Sequence, residues 1–327
     1  MFGQAPFVRA APQVAHSTRR NGGGRQDMFD HFMWSVVVAP ALVSVAVRLI
    51  AERLAPGRAA RAVAWSAAAT AAAGMANLFV FTLKAVAQLP AVGTVFGWSA
   101  HTVYQDTAHV PWVPLLSVVL LAASVAAVTV TSLRHRRVLA QARHLTDGSA
   151  TVLVLPDDRP EAFAVPGRPG RVVVTTGMRA HLSATQLDAV IAHERAHLDA
   201  GHHRLVAVAE MAAVAHPALW WVARHVGYLV ERAADEQAAH DVGSRRTVAH
   251  AIGRACLATG PEVGLGLNAA GRGGAVPRRV ASLLDPPRRG ASGWQLIPVL
   301  LAASTLVWTV EAVWDLIELL LNAGLAS

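Results

Sequence analysis

Long apolar runs alternate with polar connections in the first part of the chain, and one more run follows near its end. Each run is close to the ~20 residues that a helix needs to cross the hydrocarbon core of a membrane. None has the polar face of a soluble amphipathic helix. The pattern predicts a mainly α-helical, polytopic membrane protein with about four transmembrane helices, over Met33–Ile50, Ala62–Leu83, Val113–Thr131 and Trp294 to about Ala312.

The segment between the third and fourth runs has a mixed pattern and is long enough to bury a core of its own. Two β-rich stretches are bounded by Pro- and Gly-rich turns, which is typical of strands. A helical pattern then starts at Ser183, and Gln186 three residues later completes a capping box. The predicted strands are Thr151–Leu155 and Arg171–Thr175, and further helices are predicted over Leu205–Arg224 and Tyr228–His240.

These patterns divide the chain into four parts. The polar, Gly-rich residues 1–27 are expected to be a disordered tail, or an extension ahead of a true start at Met28. Three transmembrane helices are expected over residues 28–132 and an α+β domain over residues 133–292. A final transmembrane helix with a short outer tail is expected over residues 293–327.

Composition supports the membrane assignment and excludes some other classes. Hydrophobic residues make up 54% of the chain and charged residues only 15%, which is too apolar for an ordinary soluble protein. The net charge of +8 comes from arginines that are spread along the chain with few aromatics among them, so direct nucleic-acid binding is not expected. Cys256 is the one cysteine, which excludes an internal disulfide and a Cys-rich zinc site.

Basic residues near the ends of the spans predict the orientation. Arginines flank the first connection and follow the third span, whereas the second connection, Pro90–Val110, has no Lys or Arg. The α+β domain is therefore expected in the cytoplasm. Lys84 and the acids Glu311 and Asp315 would then lie near the outer side, where we expect Lys84 to pair with one of them.

Residues 193–197 read His-Glu-Arg-Ala-His. On a helix, His193 and His197 lie one turn apart on the same face, as two ligands of one tetrahedral metal ion require. Glu194 follows the first histidine, where its carboxylate can act as general base on the attacking water. The residue types and their spacing predict a zinc-dependent hydrolase.

A second element strengthens this interpretation. Glu231 and Asp235 lie four residues apart on a later predicted helix. Glu231 can complete a two-His, one-Glu site for Zn2+, and Asp235 can hold a ligand histidine by its free ring N–H. The alternative is a solvated acidic helix face. The other nearby histidines, His202, His203 and His216, are more typical of structural residues than of metal ligands.

These residues resemble the BlaR/MecR-type membrane zinc metallopeptidases. The likeness is carried by His193–His197, by His216-Pro-Ala-Leu-Trp-Trp221 and by Glu231-Arg-Ala-Ala-Asp235-Glu236. It implies a cytoplasmic zincin domain of gluzincin type and, as substrate, a repressor of winged-helix type. The founding members carry a β-lactam-binding domain after the last span. Only a few residues follow that span here, so β-lactam sensing is not expected.

A secondary similarity is to the HtpX/CAAX-protease type. It is carried by Ala162–Gly167 and Val172–Met178, and by Pro277-Arg-Arg279-Val280. The resemblance implies that the first of these segments lies beside the site and aligns substrate as an added strand. It also implies that Arg279 lies near the site, with an ordinary surface arginine as the alternative.

The leading hypothesis is a zinc endopeptidase of the bacterial inner (plasma) membrane that acts in signal transduction. Its expected partners are membrane lipid and a protein or peptide substrate, which is a cytoplasmic repressor or a membrane-associated protein; homo-oligomerisation stays open. One alternative is a quality-control protease of membrane proteins. The other is a non-catalytic sensor that contains zinc, although Glu194 and the lack of thiolate ligands argue against a structural zinc site.

Overall fold

The computed structural model describes residues 23–50, 55–142, 150–259, 272–285, 293 and 296–326. It is mostly helical, and four of its described helical segments are long and apolar enough to cross a membrane. This confirms the predicted count of about four such helices. The segments are Met28–Ile50, Pro56–Ala87, Trp112–Ala142 and Leu296–Leu325.

The spans and their connections follow in chain order. The first span combines the end of α1 (Gly23–Phe32), a π-helical stretch (Met33–Val38) and α2 (Ala39–Ile50). Helix α1 begins inside the segment predicted to be a disordered tail; residues 1–22 of that segment lie outside the described residues. The later helices of this region are α3 (Pro56–Ala87), α4 (Pro90–Phe96), α5 (Ala100–Thr107) and α6 (Trp112–Ala142).

The predicted pairing of Lys84 with an acid of the fourth span is wrong. Lys84 donates instead to Asp106 on α5, with Nζ 3.1 Å from Oδ2. Asp315 lies 3.4 Å from His31 Nε2. The acids are not in a polar tail either, because the fourth span continues past the predicted end at Ala312, as α13 (Leu296–Leu325).

A small sheet starts the domain after α6. Its strands are β1 (Val152–Leu155), β2 (Ala162–Val165) and β3 (Arg171–Thr175), in the order β1-β3-β2. β3 is parallel to β1 and antiparallel to β2, with Val173 opposite Leu153 and Phe163. Both strands predicted from the pattern are confirmed. β2 has no such signal, because two of its four residues are alanine, which is depleted in strands.

Helix α7 (Thr176–His181) follows the sheet and leads to α8 (Ala184–Asp199), which carries the His-Glu-x-x-His motif. The predicted capping box is confirmed: the Ser183 hydroxyl accepts from the backbone N–H of Gln186, and the Gln186 side chain accepts from the backbone N–H of Ser183. These two bonds satisfy donors that would otherwise lack partners at the helix start.

The next two helices form a hairpin and correct the predicted bounds. The structure has α9 (His202–Ala215), a short 3-10 turn (Pro217–Leu219) and α10 (Trp220–Val242), not helices over Leu205–Arg224 and Tyr228–His240. The break falls at Pro217, which has no backbone N–H to donate and disfavours helical geometry in the residue before it. Helices α11 (Arg245–Thr259) and α12 (Arg272–Leu284) complete the domain and pack on each other and on α10.

The α9–α10 hairpin packs among the long apolar helices that could cross a membrane. Both of its helices pack against α3, and α9 also packs against α6. One hydrophobic cluster includes Val63 of α3, Val47 of α2, Leu205 of α9 and Leu229 of α10. The core therefore continues across the predicted boundary between the spans and the domain at residue 133.

Polar groups at the hairpin tip find partners on the spans. Ser124 of α6 donates to the carbonyl of Ala215 at 2.8 Å, and Ser44 of α2 donates to the carbonyl of Ala218 at 2.6 Å. His216 Nε2 donates to the carbonyl of Val36, in the π-helical stretch, at 2.7 Å. A backbone group that lacks its helical partner is costly unless another group satisfies it, so these bonds allow the helix to break there.

Ser124→Ala should destabilise the protein by removing the hydroxyl that the Ala215 carbonyl accepts from. We expect the free energy of unfolding to fall by about 1 kcal/mol, because a buried carbonyl is left without its partner. Reversible unfolding of the purified protein in detergent micelles measures this loss.

Ser117→Ala is the matched control, since Ser117 is also a buried serine of α6. Its hydroxyl donates to Val113 of the same helix, so its removal should change the free energy of unfolding by less than about 0.5 kcal/mol. Equal losses in the two variants would contradict the role given to Ser124.

Candidate metal centre

The two histidines of the motif face one point. His193 and His197 lie one turn apart on α8, and their Nε2 atoms are 3.1 Å apart. Their rings meet edge to face, with centroids 4.8 Å apart. His193 is buried and His197 is partly buried, so both imidazoles are held away from bulk water.

Helix α10 brings Glu231 to the same point. Its Oε2 lies 3.6 Å from His193 Nε2, and its Oε1 lies 3.6 Å from His197 Nε2. One ligand atom from each of the three residues can be chosen so that all lie within 4.8 Å of one another. Among the described residues, this is the cluster that could hold a metal ion.

Small side chains allow α8 and α10 to approach each other. The two helices pack together, and the cluster between them includes Ala189 and Ala192 of α8 and Ala238 and Ala239 of α10. All four are buried. Because alanine adds little bulk, the backbones can come close enough for Glu231 to reach both histidines.

Asp235 holds His193 from behind. It lies one turn after Glu231 on α10, and its Oδ1 is 2.9 Å from His193 Nδ1. Only 1% of Asp235 is exposed. Asp235 thus contacts the ring of His193 at Nδ1, and the Nε2 atom of the same ring faces His197 and Glu231.

Arg279 of α12 bridges both carboxylates. Its Nε and Nη2 donate to the two oxygens of Asp235 at 2.8 and 2.7 Å. Its Nη1 lies 2.8 Å from Oε2 of Glu231. Burial raises the pKa of both acids, but the Arg279 guanidinium and the site histidines together outweigh burial and lower both pKa values below their usual range.

The two histidines differ electrostatically. Burial lowers the pKa of His193, but hydrogen bonds to Asp235 and Glu231 outweigh it and raise the pKa to about 10. Burial lowers the pKa of His197 to about 3, although the charge of Glu231 acts in the other direction. A metal ion must displace any proton on a ligand nitrogen, so metal and proton compete at His193 in particular.

Glu194 is half-buried on α8 beside the two histidines. Burial raises its pKa to about 7, while the charge of His193 and a hydrogen bond from the backbone of Ala164 act in the opposite direction. A carboxylate with a pKa near neutrality can both accept and return a proton. The arrangement therefore suits general acid–base chemistry.

Strand β2 lies beside α8, where the resemblance to HtpX-type proteases implies it should be. Next to the β2–β3 pair, the backbone N–H of Thr175 donates to the carbonyl of Glu161 at 3.0 Å. Because bonded and non-bonded positions alternate in antiparallel pairs, Ala162 and Ala164 direct their backbone groups away from β3. Among the described residues no further strand pairs with this edge of β2, and the backbone of Ala164 on it hydrogen-bonds Glu194.

One residue of the site was not predicted. His202 is 4% exposed, and its Nδ1 lies 3.2 Å from Nδ1 of His197. Burial lowers its pKa to about 4. The only sequence signal is Gly201, whose left-handed backbone (φ 61°) ends α8 and turns the chain so that His202 can return toward His197. His216, in contrast, lies at the other end of α9, where its Nε2 donates to the carbonyl of Val36.

The structure thus brings together all six residues predicted for the site, which are His193, Glu194, His197, Glu231, Asp235 and Arg279. Residues 129–257 match the model of Peptidase family M48. The M48 match confirms the resemblance to a family of membrane metallopeptidases, and it supports a metallopeptidase function. No curated protein and no solved structure matches the chain.

The M48 match covers the sheet and the helices that carry the motif, Glu231 and Asp235, and it ends before α12. Arg279 therefore lies outside the matched segment. Its place in the site rests on its contacts with Asp235 and Glu231 and not on the M48 match.

Asp235→Asn should weaken metal binding without removing a ligand. The amide cannot match the charged contact that the carboxylate makes with His193 Nδ1, so we expect the affinity for Zn2+ to fall about 10- to 100-fold. Competition with a fluorescent chelator measures this change.

Glu236→Gln is the matched control for that variant. Glu236 is the next acid on α10, but it holds Arg245 of α11 and not a histidine of the site. We expect its Zn2+ affinity to equal that of the wild type. An unchanged affinity in Asp235→Asn would show that Asp235 does not support His193.

Proposed function

We propose that this protein is a membrane-embedded zinc-dependent endopeptidase. The observation that carries the proposal is the convergence of His193, His197 and Glu231 on one point, with Glu194 beside them. The M48 match over the same segment supports the reaction class. The four membrane-spanning helices support the location in a membrane.

The three ligand residues fit zinc. Two imidazoles and one carboxylate, with a further position open, form a donor set of catalytic zinc sites. In a tetrahedral site with bonds of about 2.0–2.1 Å, neighbouring ligand atoms are about 3.3 Å apart. Here the two Nε2 atoms are 3.1 Å apart, and with one oxygen of Glu231 chosen all three ligand atoms lie within 4.8 Å of one another. The Glu231 carboxylate would therefore draw closer to the imidazoles around an ion.

In the proposed reaction, Glu194 takes a proton from the attacking water and returns it to the leaving amine. A bound zinc ion would acidify that water and polarise the scissile carbonyl. Asp235 keeps His193 oriented with Nε2 toward the ion. Arg279 holds Asp235 and Glu231 in place and offsets their charge.

The free edge of β2 offers a binding surface for the substrate. An extended peptide can add as a strand to such an edge by main-chain hydrogen bonds. Ala162 and Ala164 supply outward-facing backbone groups there, and Glu194 is hydrogen-bonded to the backbone of Ala164. A peptide on this edge would pass next to the general base.

For the biological setting, we propose the plasma membrane of a bacterium with the protease domain in the cytoplasm. The arginines flanking the first connection and following the third span support that orientation. The proposed substrate is a cytoplasmic repressor of winged-helix type or a membrane-associated protein. A quality-control protease of membrane proteins is the second candidate, favoured by the insertion of the α9–α10 hairpin between the spans.

Glu194→Gln should abolish proteolysis and leave the ligand residues in place. Loss of a general base lowers the rate about 10²- to 10⁴-fold. New protein N-termini are compared in cells that carry the wild type or the variant. Termini found only with the wild type identify substrates: very few would indicate a regulatory enzyme, and many would indicate quality control.

Asp188→Asn is the control, because Asp188 is an exposed acid on the same helix. Its cells should give the same termini as the wild type. If purified wild type loaded with Zn2+ and purified Glu194→Gln cleave denatured casein at equal rates, Glu194 is not the base.

Ala162→Pro tests substrate binding on the β2 edge. Proline removes an N–H that faces away from β3, and an edge strand tolerates proline at such a position. We expect kcat/KM on a peptide substrate to fall at least about 10-fold, with little change in melting temperature. Ala162→Ser keeps the N–H and should retain activity. Full activity in the proline variant would exclude strand addition at this position.

A further inference from the structure

His202 lies directly behind a proposed metal ligand. Helix α8 ends at Asp199, Gly201 reverses the chain in a left-handed conformation, and His202 is the first residue of α9. Its ring meets the ring of His197 edge to face, with centroids 5.0 Å apart. The shortest contact joins the two Nδ1 atoms at 3.2 Å.

The contact is on the far side of His197 from the metal position. His197 Nε2 is the atom that faces His193 Nε2 and Glu231. A neutral imidazole that offers Nε2 to a metal carries its proton on Nδ1. Two nitrogen atoms at 3.2 Å can share one proton, so His197 Nδ1 is the donor and His202 Nδ1 is the acceptor. The proton of His202 is then on its own Nε2.

We propose that His202 is a positioning residue of the metal centre, which fixes the tautomer and the ring orientation of His197. This inference rests on the proposed metal-binding role of His193, His197 and Glu231. The two histidine ligands are then held by different partners. A carboxylate, Asp235, holds Nδ1 of His193, and a neutral imidazole, His202, holds Nδ1 of His197.

His202 is not itself placed as a ligand. Its nearest contact in the cluster is the remote nitrogen of His197, and the three groups that converge on one point are His193, His197 and Glu231. Partners of this kind orient the ring and increase the basicity of the ligand, and their removal typically weakens metal binding about 10- to 100-fold.

The test is the affinity of the full-length protein in detergent for Zn2+, measured by competition with a fluorescent chelator. His202→Leu removes the acceptor, and we expect the affinity to fall about 10-fold or more. His202→Asn returns a carbonyl oxygen near the position of Nδ1 and should restore the affinity to within about 3-fold of the wild type. His203→Leu changes the neighbouring histidine and should have no effect.

The melting temperature of the metal-free protein is measured for each variant to separate positioning from packing. The proposal is supported if His202→Leu loses about 10-fold or more in Zn2+ affinity and His202→Asn stays within about 3-fold of the wild type. It is overturned if His202→Leu binds Zn2+ as the wild type does, or if both variants lose affinity equally. This test involves no substrate. If the two variants differ in Zn2+ affinity as expected but the wild-type protein cleaves nothing, the inference is supported and the proposed function is contradicted.

Discussion

The site depends on the charge of one partly buried arginine. Glu231 and Asp235 lie one turn apart on α10, Asp235 buried and Glu231 partly buried, where two carboxylates without a counterion would be strongly destabilising. Arg279 meets both of them with three N–H groups at 2.7–2.8 Å. Helix α12 must therefore pack against α10 for the acids to stay ionised and correctly oriented. A structural element outside the matched segment of the M48 family thus supports the groups within it.

The same helices are also constrained from the membrane side. The α9–α10 hairpin breaks at Pro217, and the freed carbonyls are satisfied by Ser124 and Ser44 of the spans. At the other end of the hairpin, α9 starts with His202 and α10 carries Glu231. Both helices therefore run without interruption from the spans to the site. The position of the proposed ligand and of the residue behind His197 is set by how the hairpin packs between the spans.

The polar groups of the site fall into an inner set of proposed metal ligands and an outer set of charged residues that contact them. The inner set holds His193, His197 and Glu231, and the outer set holds Asp235 and Arg279. Asp235 contacts Nδ1 of His193, which favours electron donation from Nε2 toward the metal position, and Arg279 offsets the negative charge of Glu231 and Asp235. Glu194 remains outside this network of ion pairs. Its burial raises its pKa to about 7, which suits a group that exchanges protons.

The parts of the site that follow helical spacing were predictable, and those that depend on tertiary packing were not. His193 and His197, and Glu231 and Asp235, are four residues apart, and this spacing places each pair on one face whatever the rest of the chain does. The capping box at Ser183 is equally local. His202 is five residues from His197 and beyond a left-handed glycine, so no periodic pattern relates them.

Lys84 was paired with the wrong acid for a similar reason. Periodicity along α13 placed Glu311 and Asp315 on one face, but the position of Asp106 depends on how α5 folds back against the spans. Helical spacing therefore predicted His193, His197, Glu231 and Asp235, whereas His202 reaches the site through the turn after α8, which no spacing rule indicates.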